Sequence, residues 1–348
     1  MVPTKEISNL VPDDLRKSIK SYLSRAREIE QYLEIYPGEW GKFQSEFNFE
    51  VNKVFQKIMD FERSCLSQNK PERLEKLRKI FERSFKQYFL KGVYNSWSLR
   101  KPYGYSGDFK IIEDIYQNEP PTAGFERLFD NYFQMAAISV AVRNRKEDFK
   151  KLILKFVNQK TTPVQIMNLA CGPCREVKEA LTSWQLKNKR IEFDCYDHDN
   201  HALEYAKNVL KGHNNVNFVQ LNAIKLSTTK KPEEMINKKY DIIYSTGLFD
   251  YLNFKISLNL VKNLKNLLKE GGILAISDVR DKFSNPSVYY MEWVGEWKLL
   301  YNDDNEFRKI FHDAGFTNDH LRFTFEQQGI LQYVVATNSV KHEYLEFK

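Results

Sequence analysis

Hydrophobic positions divide this chain into two textures. Over residues 10–100 they recur at helical spacing, with Leu15, Ile19, Tyr22 and Leu23 in one run and Phe47, Val51, Val54, Phe55 and Ile58 in another. The segment YPGEWG, 36–41, should separate the first helix from the second, and 71–91 should form a further charged helix. RKPYGYSGDF, 100–109, reads as an ordered turn, and NEPPTAG, 118–124, as the domain boundary. One long helix is expected to follow, through FERLFDNYFQMAAISVAVRNRKEDFKKLILKF. From residue 163 the pattern changes to short apolar runs alternating with amphipathic segments. VQIMNLA, IEFDCYD, VNFVQLN, YDIIYSTG and GILAISDV read as strands. REVKEALTSWQ, NHALEYAKNVL and ISLNLVKNLKNLLKE read as the helices between them. LRFTFEQQ and ILQYVVAT around a Gly read as a hairpin. The expected fold class is α/β, a doubly wound, mostly parallel sheet with a terminal antiparallel hairpin, plus an all-α N-terminal domain. The expected domains are 1–122 and 123–348.

Composition narrows the function classes. The chain has 348 residues, 42% hydrophobic, 14% aromatic and 28% charged, the balance of a globular protein with room for two domains. Its net charge of +7 is spread over mixed stretches such as RAREIEQYLE, so it predicts solvated helix faces and no nucleic-acid partner. No apolar run approaches the roughly 18–20 residues that span a bilayer. The N-terminal stretch lacks an apolar signal core, so a cytoplasmic location without stable membrane insertion is expected. The four cysteines, at 65, 171, 174 and 195, do not form a secreted-type framework.

The candidate chemistry lies at the strand ends, where open α/β sheets bind ligands. The first strand runs into Asn168-Leu169-Ala170-Cys171-Gly172-Pro173-Cys174, a turn of small residues that allows close approach to the backbone. The G-x-G-x-x-G dinucleotide fingerprint is absent. Asp197, ending the second strand, can accept hydrogen bonds from both ribose hydroxyls, and Asn222, ending the third, can face an adenine edge. These features describe a nucleoside site without a pyrophosphate cradle. A metal triad of Cys195, His198 and His201 is not expected, because Cys195 falls inside a strand. The Cys171–Cys174 pair has the position of a redox motif, but such a domain has no use for Asp197 or for LFDYL, and both thiols are expected to be free.

Residues 125–340 resemble a class I S-adenosylmethionine-dependent methyltransferase. The acid-x-Gly-x-Gly-x-Gly motif of that family is met with Asn168, Ala170 and Cys174 in place of the acid and of the first and third Gly. DHDNHALEYAK and KEGGILAISD match its second motif and fifth-strand region. KPYGYSGDFKIIEDIY, AVRNRKEDF, LACGPCREV, STGLFDYL and NPSVYYMEWVGEWKLLY are similar to the bacterial family of extracellular-factor 3-hydroxypalmitic acid methyl ester synthases.

The resemblance implies S-adenosylmethionine as cofactor and S-adenosylhomocysteine as product. It implies that the backbone of Ala170, Cys171 and Gly172 lies near the methionine part and that Asp197 holds the ribose. His198, Asn222 and Ala223 would adjoin the adenine, and Ser245 and Gly247 the sulfonium. Arg143 or Arg145, with Arg145 preferred, would meet the cofactor carboxylate. Tyr105, Asp108, Asp250 and Tyr251 are the catalytic candidates. Tyr103, Phe249, Tyr290, Trp293 and Trp297 are the substrate-binding candidates, the tryptophans also reading as core. The acceptor is expected to be a small molecule, first a hydroxy fatty acid methylated on its carboxyl group. An amine-bearing acceptor is the alternative, favoured by Asp108, Asp250 and Glu292, whereas Arg100 or Lys101 would suit a carboxylate. A non-catalytic binding module of the same fold is the reading from another class. The oligomeric state is not legible.

Overall fold

The computed structural model describes residues 11–338, and half of the twenty-residue N-terminal stretch on which the signal-segment reading rested lies outside them. The chain forms two compact units. Among the described residues, the helical one contains 11–107, 117–140 and 285–298, and the sheet one contains 108–116, 141–284 and 299–338. The division is therefore not a single cut at 122/123. The chain leaves the helical unit for residues 108–116, re-enters it, and returns to it once more at 285–298.

The helical unit is built from α1 (Asp13–Ile35), α2 (Gln44–Ser67), α3 (Pro71–Ser84) and α4 (Val93–Arg100). A 3-10 turn at Pro37–Lys42 separates α1 from α2, as the Pro and Gly of that segment require. The charged helix expected over 71–91 stops at Ser84 and gives way to a 3-10 turn. After α5 (Phe109–Gln117), which belongs to the sheet unit, α6 (Gly124–Met135) returns to the helical one. The core is aromatic. Tyr22 stacks on Phe89 at 4.4 Å, and Phe47 meets Phe129 edge-on at 4.7 Å.

The helix expected to run unbroken through 125–156 is two helices, α6 and α7 (Ala137–Asn158). Ala136 breaks it with ψ of 139°. The Ser139 hydroxyl donates to the Phe133 carbonyl at 2.7 Å and so satisfies one of the acceptors the break exposes. No Gly or Pro marks this position in the sequence.

The sheet unit follows the expected alternation. Its elements are β1 (Val164–Leu169), α8 (Arg175–Leu181), β2 (Ile191–Asp197), α9 (Asn200–Val209) and β3 (Val216–Gln220), then α10 (Ala223–Thr228), α11 (Pro232–Met235) and β4 (Tyr240–Ser245). Next come α12 (Phe254–Asn266) and β5 (Leu268–Val279). The short α13 (Val288–Trp293) lies in the segment belonging to the helical unit, and α14 (Asp304–Asp313), β6 (Leu321–Phe325) and β7 (Leu331–Thr337) complete the sheet unit. The strand order is β3-β2-β1-β4-β5-β7-β6. β1 to β5 pair in parallel, and β7 joins β5 antiparallel with β6 outside it. Order reverses between β1 and β4, so the ligand crevice of such a sheet falls at the carboxyl ends of those strands.

One face of the sheet is covered by Leu226 of α10, Leu260, Val261 and Leu264 of α12, and Phe307, Ile310 and Phe311 of α14, packed with Leu169, Ile243, Ile276 and Val334. Burying each such side chain is worth about 1.5–3 kcal/mol. On α7, Phe149 packs against Tyr244 and Tyr333. Strand β5 begins earlier than expected, at Leu268, so KEGG lies within the strand, with Gly271 at a left-handed φ of 69°, and its pairing with β4 shifts register between Tyr240 and Ile242.

Candidate active site

The turn after β1 keeps the backbone of a glycine motif with only one of its three glycines. Ala170, Gly172 and Cys174 have φ of 56°, 54° and 54°. Left-handed conformations cost an L-residue roughly 1–2 kcal/mol, so Ala170 and Cys174 hold strain that Gly would not. A Cβ added at Gly172 would meet nothing within 4 Å, so the space beside this backbone is open to a ligand. Two of the expected backbone donors are engaged within the chain. Cys171 N–H donates to the Tyr196 carbonyl at 3.0 Å, and Gly172 N–H to Oδ2 of Asp197 at 3.0 Å.

Asp197 is buried and ends β2. Its Oδ1 accepts from Asp199 N–H at 3.0 Å, with Nδ1 of His198 3.3 Å away. The exposed His198 is pushed up in pKa chiefly by that contact. Asn222 spends its Oδ1 as the N-cap of α10, accepting from Ile224 and Lys225 N–H, and Ala223 is buried in the core. The Ser245 hydroxyl donates to the Leu169 carbonyl at 2.7 Å and ties β4 to β1 across the reversal point.

The structure distinguishes the two arginines of AVRNRK. Arg145 lies against Gly247, where φ is 81° and an added Cβ would stand 3.1 Å from Nη2. Arg143 is half-buried, with Nη1 on the Ile115 carbonyl at 3.4 Å. Arg145 is 3% exposed, its Nη1 lies 3.7 Å from Oδ2 of Asp250, and its Nε has no hydrogen-bond partner. Burial drives the Tyr116 hydroxyl beside it up to about 12. A buried guanidinium with an unused donor is a fitting partner for a ligand carboxylate.

Of the other catalytic candidates, Asp250 is internal. Its Oδ1 accepts from Val279 N–H at 2.8 Å, and burial raises its pKa despite Arg145. Asp108 is 1% exposed and caps α5, accepting from Lys110 and Ile111 N–H, a role legible from an Asp just before an amphipathic run. Tyr251 is exposed, whereas Phe249 is buried in the core of the sheet unit.

In the helical unit, Tyr103 and Tyr105 are half-buried, and the Tyr103 ring lies 6.3 Å from that of Trp97. Tyr290, Trp293 and Trp297, expected to line a pocket, are buried core side chains. The Tyr290 hydroxyl accepts from Asn95 at 2.6 Å and its ring meets Phe55 and Tyr132, and Trp293 meets Phe81.

Three titratable groups beside these candidates escaped the sequence reading. Glu176, two residues past the turn, accepts from Asn168 Nδ2 and the Tyr244 hydroxyl, each at 2.9 Å, and burial raises its pKa to about 7. It supplies, from α8, a carboxyl group that the family pattern places on β1 where this chain has Asn168. Asp278, near the end of β5, is pushed well up by burial and by Asp250. Its Oδ2 accepts from Asn302 while Oδ1 has no partner. Tyr116 contacts Arg145 from α5. No spacing in the sequence marks any of the three.

A methyltransferase-domain family model matches residues 167–274, from the end of β1 to β5. No curated protein matches the chain. Among solved structures, a protein of Bordetella parapertussis described as a possible exported protein is similar, with 18% identity over 74% of this chain and 94% of its own, and a TM-score of 0.55. Magnesium protoporphyrin IX methyltransferase from Synechocystis PCC 6803, with bound S-adenosylhomocysteine, has 13% identity over 58% of this chain and 87% of its own, at a TM-score of 0.41. Among the described residues no helix is long and apolar enough to cross a membrane. With the methyltransferase domain matched across β1 to β5, on the sheet order and glycine-like turn described above, the chain is an S-adenosylmethionine-dependent methyltransferase of the class I fold.

Proposed function

We propose that the chain transfers the methyl group of S-adenosylmethionine to a small-molecule acceptor in the cytoplasm, and that this acceptor is first the carboxylate of a hydroxy fatty acid. The motif segments similar to the methyl ester synthase family motivate the acceptor. The observation that carries the choice is the fate of the carboxylates. Asp108 caps α5 and Asp250 is taken up by Val279 N–H and Arg145, so neither is available to hold an amine.

The residues present fit the cofactor. Asp197 would hold the ribose hydroxyls, with His198, Asn222 and Ala223 around the adenine. The turn Ala170–Gly172 would take the methionine part, Arg145 its carboxylate, and Ser245 and Gly247 would border the sulfonium. The cofactor supplies an electrophilic methyl group. A carboxylate acceptor is already a nucleophile and needs no base, so the work of these residues is to orient the partners and keep water away. Tyr251, exposed just past β4, is the side chain of this unit proposed to orient the acceptor.

The amine reading keeps one observation, the unpartnered Oδ1 of Asp278. The non-catalytic reading loses its motive, because the substituted glycine positions keep the glycine backbone. Calorimetry with S-adenosylmethionine, followed by a labelled-cofactor screen of acyl acids and amines, tests the proposal. Absence of binding at millimolar cofactor would sink it, and label transferred only to amines would overturn the carboxyl choice.

A further inference from the structure

The two ends of the turn after β1 are joined by side chains. Asn168, two residues before Ala170, donates from Nδ2 to Oε1 of Glu176, two residues after Cys174, at 2.9 Å. Between them lie the three left-handed residues Ala170, Gly172 and Cys174. The same Oε1 accepts from the Tyr244 hydroxyl at 2.9 Å. β1 and β4 pair Asn168 with Tyr244, so one carboxyl oxygen on α8 holds both strands at the point where strand order reverses. All three side chains are buried. The Cys171–Tyr196 and Gly172–Asp197 hydrogen bonds tie the middle of the turn to β2, and the Asn168–Glu176 bond closes its ends. Strained backbone persists only where its surroundings over-determine it. Glycine would hold positive φ at 170 and 174 without such help, but this chain has Ala and Cys there. A buried carboxyl group is costly, and packing alone would be served by an apolar side chain.

We propose that Glu176 is a positioning residue for the cofactor: through Asn168 it clasps the ends of the turn and holds Ala170 and Cys174 left-handed, so that the turn is already shaped when S-adenosylmethionine arrives. The proposal rests on the placement of S-adenosylmethionine at this turn. Glu176 touches no ligand in this role. It acts through the backbone, by removing the conformations into which a turn lacking two of its glycines would otherwise relax, and preorganisation of this kind is read as affinity. The clasp also accounts for Asn168. An acid there would set two carboxyl groups against each other, whereas the carboxamide supplies the donor that Glu176 needs. The residues at 168, 170 and 174 that depart from the family motif therefore form one set with Glu176: two side chains that strain the turn, and a hydrogen-bonded pair that holds it.

The test titrates S-adenosylmethionine calorimetrically into the full chain, Glu176→Ala and Glu176→Gln, and repeats the series in a background carrying Ala170→Gly and Cys174→Gly. Urea unfolding of each protein accompanies it. Glu176→Ala is expected to weaken cofactor binding by about tenfold, the order of one strained residue's conformational cost. Glu176→Gln keeps the acceptor oxygen and should stay within about twofold of the parent. In the glycine background Glu176→Ala should cost about twofold or less in affinity, because glycine holds the turn unaided, while a loss of stability remains in both backgrounds. Asn168→Val opens the clasp from its other end and serves if Glu176→Ala unfolds. Full affinity in Glu176→Ala, an equal loss of affinity in the glycine background, or a loss in Glu176→Gln as large as in Glu176→Ala each overturns the proposal. If the parent chain binds no S-adenosylmethionine, the placement of the cofactor fails and the proposal with it, whereas a binding parent with an indifferent Glu176→Ala sinks the proposal alone.

Discussion

The backbone N–H of Gly172 donates to Oδ2 of Asp197 at 3.0 Å, so the turn after β1 and the carboxylate ending β2 form one unit. The same carboxylate also accepts from Asp199 N–H. Asp197→Ala should therefore loosen the turn as well as remove the proposed ribose partner. The expected loss of S-adenosylmethionine affinity is about 1–3 kcal/mol, the usual cost of unpairing a buried polar group. Isothermal calorimetry decides it, and an unchanged affinity would remove Asp197 from the site.

Ala170 carries strain in its left-handed conformation. Relief of roughly 1–2 kcal/mol, less about 0.5–1 for the flexibility of glycine, predicts that Ala170→Gly gains stability by about 0.5–1 kcal/mol. Urea unfolding measures this. A clear loss of stability would show that the turn does not hold Ala170 with positive φ.

Glu176 makes stability depend on pH. Its folded pKa of about 7 stands above the ordinary 4.5, so the folded chain binds the proton more tightly than the unfolded one. The contribution is fully present below about pH 4.5 and is lost as pH rises through 7, a change on the order of 3 kcal/mol. Glu176→Gln keeps an acceptor for Asn168 and Tyr244 and should flatten this part of the profile. Unfolding free energies measured across pH 4.5–8 for both proteins provide the check, and parallel profiles would refute the assignment.

Arg145 and Asp250 form a buried pair at 3.7 Å. Arg145→Met strands the carboxylate and should cost about 3–5 kcal/mol of stability. Adding Asp250→Asn should recover much of that stability but none of the cofactor affinity. A double variant that binds S-adenosylmethionine as well as the parent would show that Arg145 is not the carboxylate partner.

The alternation of short apolar runs with amphipathic segments determined the sheet unit, because strand and helix periodicities are local properties of the chain. VQIMNL, IEFDCYD and the terminal hairpin lie where the pattern placed them. The small residues at 170–174 likewise announced a tight turn. Tertiary structure decided what local pattern could not encode. Ala136 breaks a helix with no Gly or Pro to mark it. Tyr290 and Trp293 are core because the segment 285–298 returns to the helical unit, a long-range event their spacing does not record. Asp108 and Asp250 had the composition of site residues, yet their backbone partners at Lys110, Ile111 and Val279 absorb them. Cys195 stands opposite Asn168 only through the parallel pairing of β1 and β2, because register, and not sequence distance, sets which residues meet across a sheet.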